Sequence, residues 1–205
     1  MNILIGTTNP AKFDRYRTIL SQCSGIEVVA PNDNHAALPI VEDGPTAEAN
    51  ARKKARAYAA ATRMPTLSVD EALYVDAFPP EEQPGTNVRR YLGVRATDEE
   101  LLAALLAKIA PIPSERRMVR WIYAICLALP DGREFFDQVE LHELLIDRPS
   151  LPILPGYPLS SILFVPSMGK TQRDFTAEEA TLFLKPVAEK VHGLVHAAFE
   201  RQQTI

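Results

Sequence analysis

The sequence predicts a single α/β domain, and three features of the chain support this fold class. The first is an opening order of strand, loop, helix and strand, which is typical of parallel strands joined by a crossover helix. The second is a long alanine-rich helix followed by a segment of β-forming residues. The third is a pair of strands around Pro130-Asp131-Gly132, a turn chemistry that favours a hairpin. The chain has 205 residues, so we expect one domain over 1–205.

Apolar spacing and helix signals place the elements of the N-terminal half. Pro10 opens the first helix, because proline is favoured at the first helical position. Thr46 is expected to cap the second helix, which Pro65 ends. In order, we predict a strand over 1–5, a helix over 10–20, a strand over 26–30, a helix over 46–63 and a β-rich segment over 66–77.

The C-terminal half carries one clear amphipathic helix, with Thr97 or Asp98 as its N-cap. A final helix is expected to be interrupted at Pro186, because proline breaks helix interiors. In order, we predict a helix over 98–110, strands over 120–129, 133–145 and 162–165, and a terminal helix over 176–202.

Composition and charge exclude several classes of protein. No apolar run approaches the ~20 residues that span a bilayer, and the N-terminus has no basic region before its short apolar stretch. We therefore expect a cytoplasmic protein without a membrane partner, in which Cys23 and Cys126 are reduced. The net charge is −4 without a basic tail, which argues against nucleic-acid binding. A local excess of positive charge at Arg52, Lys53, Lys54 and Arg56 leaves room for an anion site.

A candidate phosphate site follows the first strand. A loop that enters a helix N-terminus offers backbone N–H groups and the positive end of the helix dipole to an anion. Thr7, Thr8 and Asn9 add side-chain donors, and Lys12 adds a cation. The alternative interpretation is an ordinary strand-to-helix turn with a solvated lysine.

Two further groups of residues indicate a metal and a phosphate held together. Asn50 and Lys54 share a helix face with Thr46, and Glu42 precedes that helix. Asp70 lies among apolar strand residues, where it could complete a Mg²⁺ site with Glu42 or take a proton from an attacking water. Solvated helix charges and turn-forming acids are the simpler alternatives.

Taken in order, these segments resemble the inosine triphosphate pyrophosphatase (Ham-type) family. The motif T-x-N-x-x-K is matched by Thr7, Asn9 and Lys12. The motif E-x-x-x-T-x-x-x-N-A-x-x-K-A is matched by Glu42, Thr46, Asn50, Ala51, Lys54 and Ala55. The motif P-G-x-x-x-x-R-Y-x-G is matched by Pro84, Gly85, Arg90, Tyr91 and Gly93.

The resemblance implies a long central mixed sheet flanked by helices, two lobes with a substrate cleft between them, and a homodimer. It also implies Mg²⁺-dependent hydrolysis of a nucleoside triphosphate, with an unusual purine base in that family, to a monophosphate and pyrophosphate. The implied catalytic residues are Asp70, Lys54 and Lys12, and the implied metal ligands are Glu42 and Asp70. The implied substrate-binding residues are Thr7, Thr8, Asn9, Lys12, Asn50, Lys54 and Arg90.

The departures from the family motifs concern catalysis and base recognition. The D-D-S-G motif reads Val69-Asp70-Glu71-Ala72, so the second aspartate survives as Asp70. Glu71 could restore the lost charge, although its side chain would leave the strand on the opposite face. The base-binding aspartate, lysine, histidine and arginine of the family are absent around Ser161 and Lys185. Two alternatives therefore stay open: a nucleotide-binding relative without turnover, and an enzyme for another phosphorylated small molecule.

Overall fold

The computed structural model describes residues 1–31, 38, 40–93 and 96–199. Its central feature is a seven-stranded mixed sheet in the order β2-β1-β3-β4-β5-β6-β7. The strands are β1 (Asn2–Ile5), β2 (Glu27–Val29), β3 (Thr66–Val75), β4 (Met118–Ala128), β5 (Glu134–Leu145), β6 (Leu163–Val165) and β7 (Lys170–Thr171). The helices are α1 (Pro10–Leu20), α2 (Ala47–Thr62), α3 (Asp98–Ile109), α4 (Ala177–Phe183) and α5 (Lys185–Phe199). The predicted mixed α/β sheet is confirmed.

The N-terminal strands are parallel, as the sequence predicts. β1 pairs in parallel with β2 on one side and with β3 on the other. The chain therefore passes from β1 through α1 to β2, and then back across β1 through α2 to β3. Because such crossovers are right-handed, two connections that run in opposite directions place α1 and α2 on opposite faces of the sheet.

Side-chain caps begin the predicted helices at the expected residues. The Thr46 side chain accepts a hydrogen bond from the Ala49 N–H, which confirms it as the N-cap of α2. Thr97, rather than Asp98, caps α3, and it forms a reciprocal capping box with Glu100. These caps satisfy N–H groups that the first helical turn leaves without a backbone partner.

The strand pairs from β4 onward are antiparallel. The Leu129 N–H donates to the Arg133 carbonyl across the turn between β4 and β5, which confirms the hairpin. β5 pairs with β6 and β6 with β7, both antiparallel.

The chain divides into two compact units. Unit 1 comprises 1–71, 123–139 and 185–205, and unit 2 comprises 72–122 and 140–184. The core of unit 2 is built from β-strand and α3 residues, including Leu73, Leu101, Leu105, Ile109 and Val119. No helix within the described residues is long and apolar enough to cross a membrane. The cysteines are free, and burial raises the pKa of the Cys126 thiol to about 12.

The terminal helix differs from its prediction. It is two helices, and the break falls at Leu184 rather than at Pro186. Pro186 lies in the first turn of α5, where a missing N–H costs no helical hydrogen bond, so the proline starts this helix instead of interrupting it. The predicted end of the helix beyond residue 199 lies outside the described residues.

Candidate active site

The loop after β1 approaches its neighbours closely. A Cβ atom at Gly6 would lie 3.0 Å from Tyr58 Cδ2 and 3.1 Å from Thr66 Cγ2, so a larger residue would require these side chains to shift. The Gly6 N–H donates to the Leu67 carbonyl, and Ser68 Oγ donates to the Gly6 carbonyl at 3.3 Å. The loop is therefore fixed against β3 before α1 begins.

Two of the predicted phosphate donors serve the loop itself. Asn9 is the N-cap of α1, and its Oδ1 accepts from the N–H groups of Ala11 (3.0 Å) and Lys12 (3.3 Å). The Asn9 N–H in turn donates to Thr7 Oγ1 at 3.2 Å. Thr8 is exposed, and its N–H has no protein partner in the part of the chain that the structure describes. Thr8 and the side-chain NH₂ of Asn9 therefore remain toward solvent. The other backbone N–H groups of the loop have hydrogen-bond partners within the protein.

Lys54 is the centre of the second group of residues. Its Nζ lies 2.7 Å from Glu42 Oε1 and 2.8 Å from Asp70 Oδ1, and it donates to the Val69 carbonyl at 3.3 Å. Only 10% of the Lys54 side chain is exposed. Burial alone would lower the pKa of Lys54, but Asp70 and Glu42 outweigh it, and the pKa is raised. The side chain therefore stays an ammonium ion at a site where it can meet an anion.

Asn50 links the Glu42 segment to Asp70. Its Oδ1 accepts from the Gly44 N–H at 2.8 Å, and its Nδ2 donates to Asp70 Oδ2 at 3.2 Å. The residue is 1% exposed. A Cβ atom at Gly44 would lie 2.6 Å from Asn50 Oδ1, so only glycine allows this approach. Asn50 and Lys54 share one face of α2, as predicted, and both side chains contact Asp70.

The other cations of α2 are engaged elsewhere. Arg52 pairs with Glu48 and with Glu134, and its guanidinium lies 4.5 Å from the Phe136 ring centroid. Arg56 also pairs with Glu134, and Lys53 pairs with Asp43. The basic cluster noted in the sequence therefore contributes Lys54 alone to the group around Asp70.

Glu71 faces the opposite side of β3 from Asp70, as strand alternation requires. Its Oε1 lies 3.6 Å from Lys12 Nζ and 3.3 Å from Arg15 Nη1, and it accepts a hydrogen bond from the Tyr16 hydroxyl at 3.5 Å. Burial would raise the pKa of Glu71, but Lys12 and Arg15 reverse this, and the pKa is lowered. Arg15 was not identified in the sequence. Its position three residues after Lys12, on the same helix face, is the signal that points to it.

Arg90 belongs to unit 2, in a short 3₁₀ turn over Val88–Arg90. It is exposed and donates to Asn87 Oδ1 at 3.0 Å. Its motif is anchored to β3 because Gly85 and Leu73 exchange both backbone hydrogen bonds. Gly85 has a φ of +54°, a conformation that favours glycine. Gln83 adds side-chain hydrogen bonds to both backbone groups of Val75, and no sequence motif indicates that role.

The rewritten base-recognition segments contain no obvious replacement ligand. Ser161 is fully buried, and its hydroxyl donates to the Pro158 carbonyl at 2.6 Å. Lys185 is exposed and lies 3.8 Å from Glu189 on α5. Ser161 and Lys185 thus each contact a residue of their own segment.

The donors around Lys54 suit a magnesium ion. Mg²⁺ prefers carboxylate oxygens, and it is usually held by one or two protein carboxylates together with substrate phosphates. Glu42 and Asp70 are two such groups, brought to one ammonium ion by α2 and β3. Within the described residues, no three metal-binding side chains form a cluster, so a site of this kind would need phosphate oxygens to be complete.

Comparisons with known proteins agree on the family. The model of the Ham1 family matches residues 3–181. A dITP/XTP pyrophosphatase from Symbiobacterium thermophilum is 35% identical over 177 residues, covering 86% of this chain and 85% of that protein. A dITP/XTP pyrophosphatase from Corynebacterium glutamicum is 31% identical over 202 residues, 95% of each chain.

Solved structures show the same fold. A nucleoside-triphosphatase / dITP/XTP pyrophosphatase from Mycobacterium abscessus has a TM-score of 0.72 at 27% identity and covers 95% of this chain and 98% of that one. The Ham1 protein of Staphylococcus aureus has a TM-score of 0.76 at 23% identity, with 94% and 99% covered, and supports the fold alone. The match to the family model and the identity to these relatives show that the chain belongs to the Ham1 family.

Proposed function

We propose that this protein is a Mg²⁺-dependent nucleoside triphosphate pyrophosphohydrolase, which cuts its substrate to a nucleoside monophosphate and pyrophosphate. The observation that carries the proposal is the buried Lys54 ammonium held between Glu42 and Asp70. A cation and two carboxylates at one point suit a metal-bound polyphosphate better than a neutral ligand. The relatives named dITP/XTP pyrophosphatases support the same reaction and a purine substrate with an unusual base.

Each residue of the group has a proposed task. Glu42 and Asp70 would hold Mg²⁺, which supplies charge neutralisation at the phosphates when bound. Lys54 and Lys12 neutralise the negative charge that develops on the phosphate oxygens during cleavage. Asp70 orients a water molecule and accepts its proton as the water oxygen attacks the α-phosphorus. The bond from the α-phosphorus to the bridging oxygen breaks, and pyrophosphate leaves with the electron pair.

The remaining predicted residues position these groups or bind the substrate. Thr8 and the Asn9 amide are the donors that the loop leaves toward solvent, and Thr7 holds Asn9. Asn50 fixes Asp70, so we assign it a positioning role before any contact with substrate. Arg90 remains a proposed substrate-binding residue of unit 2.

The assembly proposed with this function is a cytoplasmic homodimer in which residues 1–205 act as one domain. Strands β3, β4 and β5 each contribute residues to both compact units, which supports a single domain. The net charge of −4 gives no support for a nucleic-acid partner.

One observation favours a second function, in which the protein binds nucleotides without turnover. The position of the first aspartate in the D-D-S-G motif is Val69, which is 5% exposed and offers only its backbone carbonyl to Lys54. A site with one carboxylate fewer has less capacity to hold a metal ion and activate water. If the protein does hydrolyse nucleotides, Asp70 and Glu42 must hold the metal ion and activate the water without that carboxylate.

The experiment is a pyrophosphate-release assay over ITP, XTP, dITP and the standard nucleotides, with and without Mg²⁺. Release that requires Mg²⁺ supports the pyrophosphohydrolase. Thermal stabilisation by a nucleotide without release supports the second function, and no response to any nucleotide points to another phosphorylated substrate. The variant Asp70→Asn should lose turnover at least a hundredfold and keep its fold, because the amide cannot accept the proton. Near wild-type turnover would contradict the role of Asp70.

A further inference from the structure

Glu71 joins two cations on one face of α1. Its carboxylate contacts Lys12 Nζ at 3.6 Å and Arg15 Nη1 at 3.3 Å through the same oxygen, Oε1. The side chains of Glu71, Lys12 and Arg15 are 12%, 19% and 20% exposed. The cluster is therefore shielded from bulk water, yet Lys12 remains accessible to a ligand.

The Glu71 carboxylate contacts two cations, so Lys12 is not its sole charged partner. Glu71 would remain compensated if the Lys12 ammonium moved away, because Arg15 and the Tyr16 hydroxyl still contact it. Moving the ammonium therefore does not leave a buried carboxylate without a charged partner, a state that would cost free energy.

Lys12 also lies where a phosphate would arrive. It is the third residue of α1, directly after the loop that carries Thr8 and Asn9. In the structure this ammonium is paired with Glu71, so a polyphosphate that binds the loop must compete with Glu71 for it.

We propose that Glu71 is a positioning residue for Lys12: its carboxylate holds the ammonium beside the phosphate loop, yields it to the polyphosphate of the substrate, and then stays paired with Arg15. This inference rests on the proposed function and deepens it. Glu71 thereby weakens the binding of both substrate and pyrophosphate, and it returns Lys12 to its starting position after each turnover.

The proposal predicts opposite effects for the two partners of Lys12. Removing the charge of Glu71 in Glu71→Gln frees the ammonium and should tighten polyphosphate binding about three- to fivefold, the scale of a partly exposed ion pair. Removing the charge of Arg15 in Arg15→Gln leaves Lys12 as the remaining cation of this cluster beside Glu71 and should weaken binding by a similar factor. The double variant should resemble Glu71→Gln, because Arg15 acts on Lys12 through Glu71 and loses that effect once the carboxylate charge is removed.

The test is calorimetric binding of Mg²⁺-tripolyphosphate, which needs no turnover. The Glu71→Gln variant should also show a lower KM and stronger inhibition by pyrophosphate, while kcat changes less than KM. A merely structural role would lower the melting temperature without tightening binding. Asp14→Asn is the matched control, since it removes one negative charge from an exposed position of α1 and should leave affinity unchanged.

Each outcome decides between the proposals. If the wild type binds tripolyphosphate and Glu71→Gln binds it equally or more weakly, the role of Glu71 is overturned and the hydrolase function still stands. Tighter binding without pyrophosphate release from any nucleotide supports Glu71 and overturns the hydrolase. A wild type that does not bind tripolyphosphate overturns both. If Glu71→Gln does not fold, Arg15→Gln decides: weaker binding that Arg15→Lys restores supports the proposal, and unchanged binding overturns it.

Discussion

Glu143 makes the stability of unit 2 depend on pH. The residue is on β5, its side chain is fully buried, and Gln172 Nε2 donates to its Oε2 at 2.6 Å. Its Oε1 has no hydrogen-bond partner among the described residues. Burial raises the pKa of Glu143 to about 8 from 4.5, although the Gln172 hydrogen bond opposes this. The folded protein therefore keeps a proton that the unfolded chain has already released.

The sign and size of the effect follow from this raised pKa. A carboxyl whose folded pKa exceeds its unfolded value makes the protein less stable as pH rises from the unfolded value through the folded one. At high pH the loss approaches about 5 kcal/mol, and between pH 6.5 and pH 8.5 it is about 2 kcal/mol. The variant Glu143→Gln resembles the protonated side chain and does not titrate, so it should lack this loss.

Urea unfolding at both pH values measures the difference between wild type and variant. Trp121 is the one tryptophan of the chain, and it lies in unit 2 together with Glu143. The Trp121 Nε1 atom is also buried without a partner among the described residues. Trp121 fluorescence therefore reports on the unit that contains the substitution. The control is Glu140→Gln on the same strand, at an exposed position, which should follow the wild type.

An equal dependence on pH in wild type and Glu143→Gln would refute the reasoning. Such a result would mean that Glu143 is ionised in the folded protein and that its burial is compensated by a partner. Glu143→Gln could also be less stable than wild type at pH 8.5 and show the same dependence of stability on pH. That result would likewise mean that Glu143 is ionised in the folded protein.

Two further substitutions test the group around Lys54. Lys54→Met should reduce turnover about a hundredfold or more and cost about 3 kcal/mol of stability, because it removes a phosphate-binding cation and takes the ammonium away from two carboxylates. Measured kcat values and urea midpoints test both effects, and normal turnover would contradict the assignment. Gly44→Ala should cost about 1–3 kcal/mol and reduce turnover, because the new Cβ would lie 2.6 Å from Asn50 Oδ1. The control Gly193→Ala on α5 has open space around its Cβ and should stabilise the protein by up to about 1 kcal/mol.

The elements that the sequence predicted correctly are those with strong local signals. Proline at the start of α1, threonine at the cap of α2 and the Pro-Asp-Gly turn each act within a few residues. The break in the terminal helix was misplaced because Pro186 is compatible with either an interruption or a start. Only packing of the two helices decides between them, and packing is not a local property.

For the residues of the candidate site, the sequence predicts some positions on the fold but not all of the contacts. Alternation along β3 correctly put Asp70 and Glu71 on opposite faces. The sequence could not show that Asn50 holds Asp70, because this contact depends on how α2 packs against β3. The pairing of Glu71 with Arg15 joins residues 56 positions apart, and no spacing rule reaches that far.

The order of the strands explains why these residues meet. β1 lies between β2 and β3, so the chain leaves β1 toward one side and β3 stands on the other. In open α/β sheets, ligands bind at the carboxyl ends of strands where the connections diverge in this way. The loop after β1 lies at such an edge, and the acids of β3 stand just beyond the end of β1, with α1 on one face and α2 on the other. Lys12 of α1 and Lys54 of α2 then each meet one of two consecutive acids. Glu71 stands where the family motif has serine, and this replacement changes the charge on one face while Lys54, Asn50 and Asp70 stay together on the other.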